Sequence, residues 1–179
     1  MTAQYSDTII FEDKKYALIG KKGPELFNPE KFGIKATMMS TACYRGFYAT
    51  YVLTRVNLLL DELTIMGTGD YPRLAGIKAK NEDDEAIYRK LNMVVPFSGL
   101  IRIAQGFIEE YYIHMGFQKA TAYKTVFDIT LENGKVLEVK DRSLECEEKR
   151  GAFKKKYTTS NISDRIDMAF SLDPNLDLE

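Results

Sequence analysis

The sequence predicts a mainly β fold of the α+β class: antiparallel hairpins forming a curved sheet, barrel or sandwich, with one helix packed at an end. Three observations carry this. Short runs rich in Val, Ile, Tyr and Phe alternate at period two, the connections between them are short and polar, and one segment has the charge pattern of a capped helix. A chain of 179 residues removes roughly 70% of its unfolded surface on folding, so a single domain over 1–179 with one core is expected.

The elements follow in order. DTIIF (7–11) pairs with KYALI (15–19) through Glu12, Asp13 and Lys14, and GFYATYVLT (46–54) pairs with LLLDELTIM (58–66) across Arg55, Val56 and Asn57. Between these hairpins, residues 20–37 hold two prolines and three glycines but also Leu26, Phe27 and Phe32, which need burial, so an ordered loop is expected. Residues 81–92 read as a helix over about 82–91: Asn81 caps it, Glu82 to Glu85 fill the first turn, Arg89 and Lys90 the last, and Ile87 and Leu91 form a narrow apolar stripe.

A third hairpin joins SGLIRI (98–103) to GFIEEYYIHM (106–115), with Gln105 and Gly106 at the reversal. The fourth joins VFDITL (126–131) to VLEV (136–139) across Asn133-Gly134, the strongest short-range hairpin signal in the chain. Beyond residue 141, RSLECEEKRGAFKKKY and SDRIDMAF each suit a short helix, and the closing LDPNLDLE is expected to fray.

Composition narrows the function. The chain has 25 basic and 26 acidic residues, so no net field draws it to a polyanion or a membrane surface, and nucleic acid is disfavoured as a partner. FKKKY (153–157) interleaves bases with aromatics, but as one short run it reads first as a solvated face. No leader pattern and no run of about 18 apolar residues occurs, which predicts a soluble, cytoplasmic protein without a membrane partner. Cys43 and Cys146 form no CxxC pair, and the sequence has one histidine, so neither a disulfide framework nor a metal site is signalled and no cofactor is expected.

Two places carry candidate binding chemistry. On the strand after Gly46, Phe47, Ala49, Tyr51 and Leu53 share the core side, and Arg45 falls on that parity, with Tyr44 before it and Tyr48 on the other face. A guanidinium there must stack on an aromatic or fork onto a carboxylate, either of the chain or of a bound anion. The second place is the strand 107–114, where neither face is wholly apolar: Glu110, Tyr112 and His114 lie on one side, Glu109 and Tyr111 on the other. That pattern fits an edge strand or the wall of a polar cavity, where an inward glutamate would need a cation such as Arg45. The plainer reading leaves His114 and the glutamates solvated.

STACYRGFYATY and YYIHMGF resemble the T-A-x-[WY]-R-G-[YF] and H-M-G-[YF] signatures of an uncharacterised family of small bacterial proteins, through Thr41, Ala42, Tyr44 to Phe47, and His114 to Phe117. The resemblance covers about residues 38–140 and implies a bacterial source; it carries no assigned activity.

Two functions are therefore expected to compete. One is a non-enzymatic binding protein whose partner is another protein, in the manner of small inhibitors or immunity proteins, using its abundant tyrosines for contact area. The other is an enzyme or small-molecule binder whose cavity gathers Tyr44, Arg45, Tyr112 and His114 with Glu109 or Glu110, arginine holding an anion and histidine with glutamate acting as acid and base.

Overall fold

The first two strands, β1 (Thr8–Phe11) and β2 (Lys14–Lys22), turn through Glu12 and Asp13, both left-handed at φ 48° and 60°. Two successive left-handed residues give a turn whose twist matches that of the strands it joins. β3 (Phe47–Leu53) and β4 (Leu58–Met66) form the second expected hairpin, with the Thr54 hydroxyl accepting from the amides of Val56 and Asn57. On β3 the buried residues are Phe47, Ala49, Tyr51 and Leu53, the face that alternation assigned to the core. The whole structure, a computed structural model, describes residues 2–178.

Residues 82–91 are not a helix. They form a hairpin of β5 (Lys80–Glu82) and β6 (Glu85–Tyr88), turning at Asp83 and Asp84, with β6 paired to β4. Burial alternates along β6, with Ala86 and Tyr88 fully buried and Ile87 only partly, which is period two rather than 3.6. The charges that resembled helix-dipole complements are ion pairs of the sheet: the Arg89 guanidinium reaches Glu82 at 2.7 Å and Glu62 on β4 at 3.2 Å. A short strand, β7 (Met93–Val94), then continues along the same edge of β4.

The third hairpin is also replaced. β8 (Gly99–Phe107) runs straight through Gln105 and Gly106, lying between β2 and β9 (Tyr123–Glu132), and residues 108–115 leave the sheet through a 3₁₀ turn, Glu109–Tyr111. The physical reason is partner length: β9 offers β8 a ladder from Gly99↔Leu131 to Phe107↔Tyr123, whereas 107–114 has no face a sheet could bury. The fourth hairpin stands as expected, with β10 (Lys135–Asp141) returning from β9 across Asn133 and Gly134 at φ 49° and 78°.

The strand order is β10-β9-β8-β2-β1-β3-β4-β6-β5, antiparallel except for β1 against β3. The sheet curls far enough for the Gly134 carbonyl to accept from the Leu58 amide and the Gly134 amide to donate to the Phe97 carbonyl, yet its edges, β10 and β5, are unpaired with each other. It is thus a curved open sheet rather than a closed barrel. The main core gathers around Ile9, Tyr51, Leu60, Leu63, Tyr88 and Ile101.

Helices α1 (Ser143–Glu148), α2 (Ala152–Thr159) and α3 (Ile162–Phe170) follow, the first expected stretch dividing at Gly151. Phe153 and Tyr157 of the FKKKY run are buried under α2, leaving its lysines without the exposed aromatics that base stacking requires. No described helix is long and apolar enough to cross a membrane.

Over 171–178 the chain lies as a strap against the sheet. Pro174 and Leu178 are buried, and three cations grip the strap's carbonyls: Arg102 donates to Pro174 at 2.6 Å, Lys119 to Ser171 at 2.6 Å, and Lys149 to Leu178. Glu179 lies outside the described residues.

Candidate functional site

The parallel pairing of β1 with β3 sets Thr8 against Thr50, which places Asp7 beside the start of β3. There Asp7, 5% exposed, accepts the Ala49 amide at 2.9 Å and both terminal nitrogens of Arg45, at 2.8 and 3.3 Å. The same guanidinium lies 4.8 Å from the centre of the Phe47 ring. Stacking and forking, posed by the sequence as alternatives, occur together. Burial works against the Arg45 charge, but the Asp7 carboxylate outweighs it and holds the pKa above the ordinary arginine value.

Gly46 makes this geometry accessible. It sits at φ 73°, and a Cβ there would stand 2.3 Å from the Thr37 carbonyl oxygen, so only glycine lets the 37–46 loop close on itself. The cavity beside the pair, reached by Lys21, Glu25, Tyr51 and Phe117, amounts to about 20 Å³. That is room for about one water. Burial also raises the Cys43 thiol pKa, opposed in part by Arg45, and raises Tyr51 well above its usual value, with Asp7 adding to the effect.

The other candidates divide into two places. Tyr44 is 45% exposed and packs edge-on to Phe170 at 5.8 Å. Tyr48, half-buried on the outward face of β3, donates its hydroxyl to Glu85 at 3.0 Å, and burial together with that carboxylate pushes its pKa up to about 12. Glu109 and Glu110 open the 3₁₀ turn and are exposed; Tyr112 is exposed against Phe107, and His114 is exposed with its ring 6.2 Å from that of Tyr157. So, of the seven candidates, Arg45 alone lines the small cavity; Tyr44 and Tyr48 face other partners, and Glu109, Glu110, Tyr112 and His114 lie on a separate loop.

Three features were missed by sequence reasoning. Asp7 is the carboxylate that Arg45 required, and Glu85 is the acceptor for Tyr48. The third is an exposed apolar surface at the same end of the sheet: Tyr5 (51% exposed), Met38 (60%), Met39 (66%) and Tyr44. The Tyr5 ring meets Tyr48 edge-on at 5.6 Å, the Tyr5 amide bonds the Ala42 carbonyl, and Met39 reaches the space beside Gly67 at the end of β4. The adjacent Met-Met in a polar loop was the available signal.

The fold and this surface define a mainly β chain with a curved open sheet and a tyrosine- and methionine-bearing end. Comparison with models of known families, with curated proteins and with solved structures finds no match.

Proposed function

We propose that the chain is a binding protein that docks another protein through the surface of Tyr5, Met38, Met39 and Tyr44, in the manner of a small inhibitor or immunity protein of a bacterial cell. The observation that carries this reading is the exposure of those four side chains around an anchored frame. Tyrosine, methionine and arginine are the side chains enriched in protein interfaces; tyrosine supplies a rigid area with a polar tip, and methionine adapts to the facing surface. The rival reading, an anion held by Arg45 with His114 and a glutamate as acid and base, draws less support. Asp7 already takes both terminal guanidinium nitrogens, and the imidazole stands on another loop.

The test is affinity capture from the source cell with the native chain and with a Tyr5→Ser, Met39→Ser, Tyr44→Ser variant of native circular dichroism, followed by titration of the purified partner. A partner held by the native chain and weakened about tenfold or more by the variant is the expected result. Equal affinity of both chains for every captured partner, or no partner at all, overturns the proposal.

A further inference from the structure

A second concavity lies between the loop after β2 and the segment that follows β6, and shares Glu25, Leu26 and Phe27 with the wall of the small cavity at Arg45. Its volume is about 450 Å³, within the range of small-molecule sites. The floor is buried and apolar, from Phe27, Leu60, Val95 and Phe97, while Phe32 and Val94 stand exposed at the rim. Phe27 and Phe32 stack with centres 5.2 Å apart and planes 17° apart, giving the wall a flat aromatic side.

The polar groups at the rim are unequal in sign. Glu25, a carboxylate at the rim, is paired with Lys21 at 2.6 Å. Asn28 uses its side-chain oxygen to accept the Glu30 amide as cap of the 3₁₀ turn Pro29–Phe32, so its amide nitrogen remains a donor. Lys31, on the same turn, is exposed and has no ion-pair partner among the described residues. The rim therefore offers one cation and one amide donor over an apolar floor.

We infer that this cleft binds a small amphipathic carboxylate, its alkyl or aryl body on the Phe27–Phe97 floor and its carboxylate at Lys31 and Asn28. An apolar body alone would leave the two donors unused. A phosphate would bring a second negative charge to a rim that offers one cation free of an ion pair, Lys31. The cleft shares no residue with the Tyr5–Tyr44 surface, so this inference stands apart from the protein-docking reading.

The experiment uses the full chain and three probes of equal chain length, decanoate, decanol and decylamine, read by displacement of anilinonaphthalenesulfonate fluorescence and by NMR shifts of the 24–32 and 93–97 amides. Decanoate is expected to bind about tenfold more tightly than decanol, the strength of one charge-assisted contact, and decylamine most weakly. Lys31→Gln should erase the preference for decanoate over decanol while leaving decanol unchanged, and Val94→Trp at the exposed rim should weaken both. Equal binding of decanoate and decanol to the native chain, a preference that survives Lys31→Gln, binding indifferent to Val94→Trp, or no decanoate binding at all overturns the inference.

Discussion

Arg45–Asp7 and Arg102–Asp128 are both arginine forks on an aspartate, yet they sit in different surroundings. Arg102 meets Asp128 at 2.6 and 2.7 Å with side chains 4% and 7% exposed, whereas Arg45 is 24% exposed against 5% for Asp7. Asp128 also takes a second cation, Arg142 at 3.3 Å, and Arg102 spends its remaining nitrogen on the Pro174 carbonyl. Asp7 has one cation and the Ala49 amide, with Phe47 under the guanidinium. One pair fastens the terminal strap and α1 to the sheet; the other fastens the 37–46 loop to the strands. The difference shows that the more deeply buried pair is the one whose partners cannot be replaced by water, because desolvating a charge costs several kcal/mol per ion.

The largest expected effect breaks the deeper pair. Asp128→Ala takes from buried Arg102 the carboxylate it forks onto and from Arg142 one of its two carboxylates, Glu145 at 2.5 Å being the other, and unfolding in urea should show a loss of about 3–5 kcal/mol. A double variant, Arg102→Met with Asp128→Leu, should lose much less, since it removes the buried guanidinium along with its carboxylate. A double variant as unstable as the single one would mean that the loss comes from shape rather than from charge. Asp7→Ala should cost less, about 2–3 kcal/mol, because Arg45 keeps its ring contact and reaches water. Equal losses for Asp7→Ala and Asp128→Ala, measured under the same conditions, would erase the distinction drawn from exposure.

The two pairs also differ in how much of them the sequence discloses. Arg45 stood out because it interrupts an apolar face that Phe47, Ala49 and Tyr51 define, and the fork and stack it needed are both present. Its partner was hidden, because β1 reaches β3 through a parallel pairing some forty residues apart that no local pattern encodes. Arg102 gave no signal at all. In SGLIRI it takes the outward parity, where arginine is ordinarily solvated, and only α1 and the polar-looking strap bury it.

The same limit explains the two misread elements. Over 82–91, Ile87 and Leu91 fit a helical spacing and the charges fit a dipole, while the alternation of Ala86 and Tyr88 is too short to outvote them without the neighbouring β4. At 98–115, a glycine at a plausible turn position suggested a local return, but the long partner for β8 came from β9, well downstream. The hairpins with two successive left-handed turn residues, Glu12-Asp13 and Asn133-Gly134, were legible because their information is local.

The smallest effect belongs to Tyr48, which joins the shallow pair's end of the sheet to β6. Tyr48→Phe removes the hydroxyl that donates to Glu85 and should cost about 1 kcal/mol near neutrality, the net worth of an ordinary hydrogen bond. Its pH dependence is the sharper readout. Burial, with Glu85 adding to it, raises the tyrosine from 10.0 to about 12, so the folded state holds this proton more tightly than the unfolded chain. The contribution is whole below pH 10 and is lost as pH rises through about 12, so native stability should fall faster than that of Tyr48→Phe across this window and the gap between them should narrow. A gap that holds constant to the top of the window would mean that Glu85 receives the Tyr48 hydroxyl without tuning its ionisation, and the sheet end that carries Tyr5 and Tyr44 would then depend on the Arg45–Asp7 fork rather than on this bond.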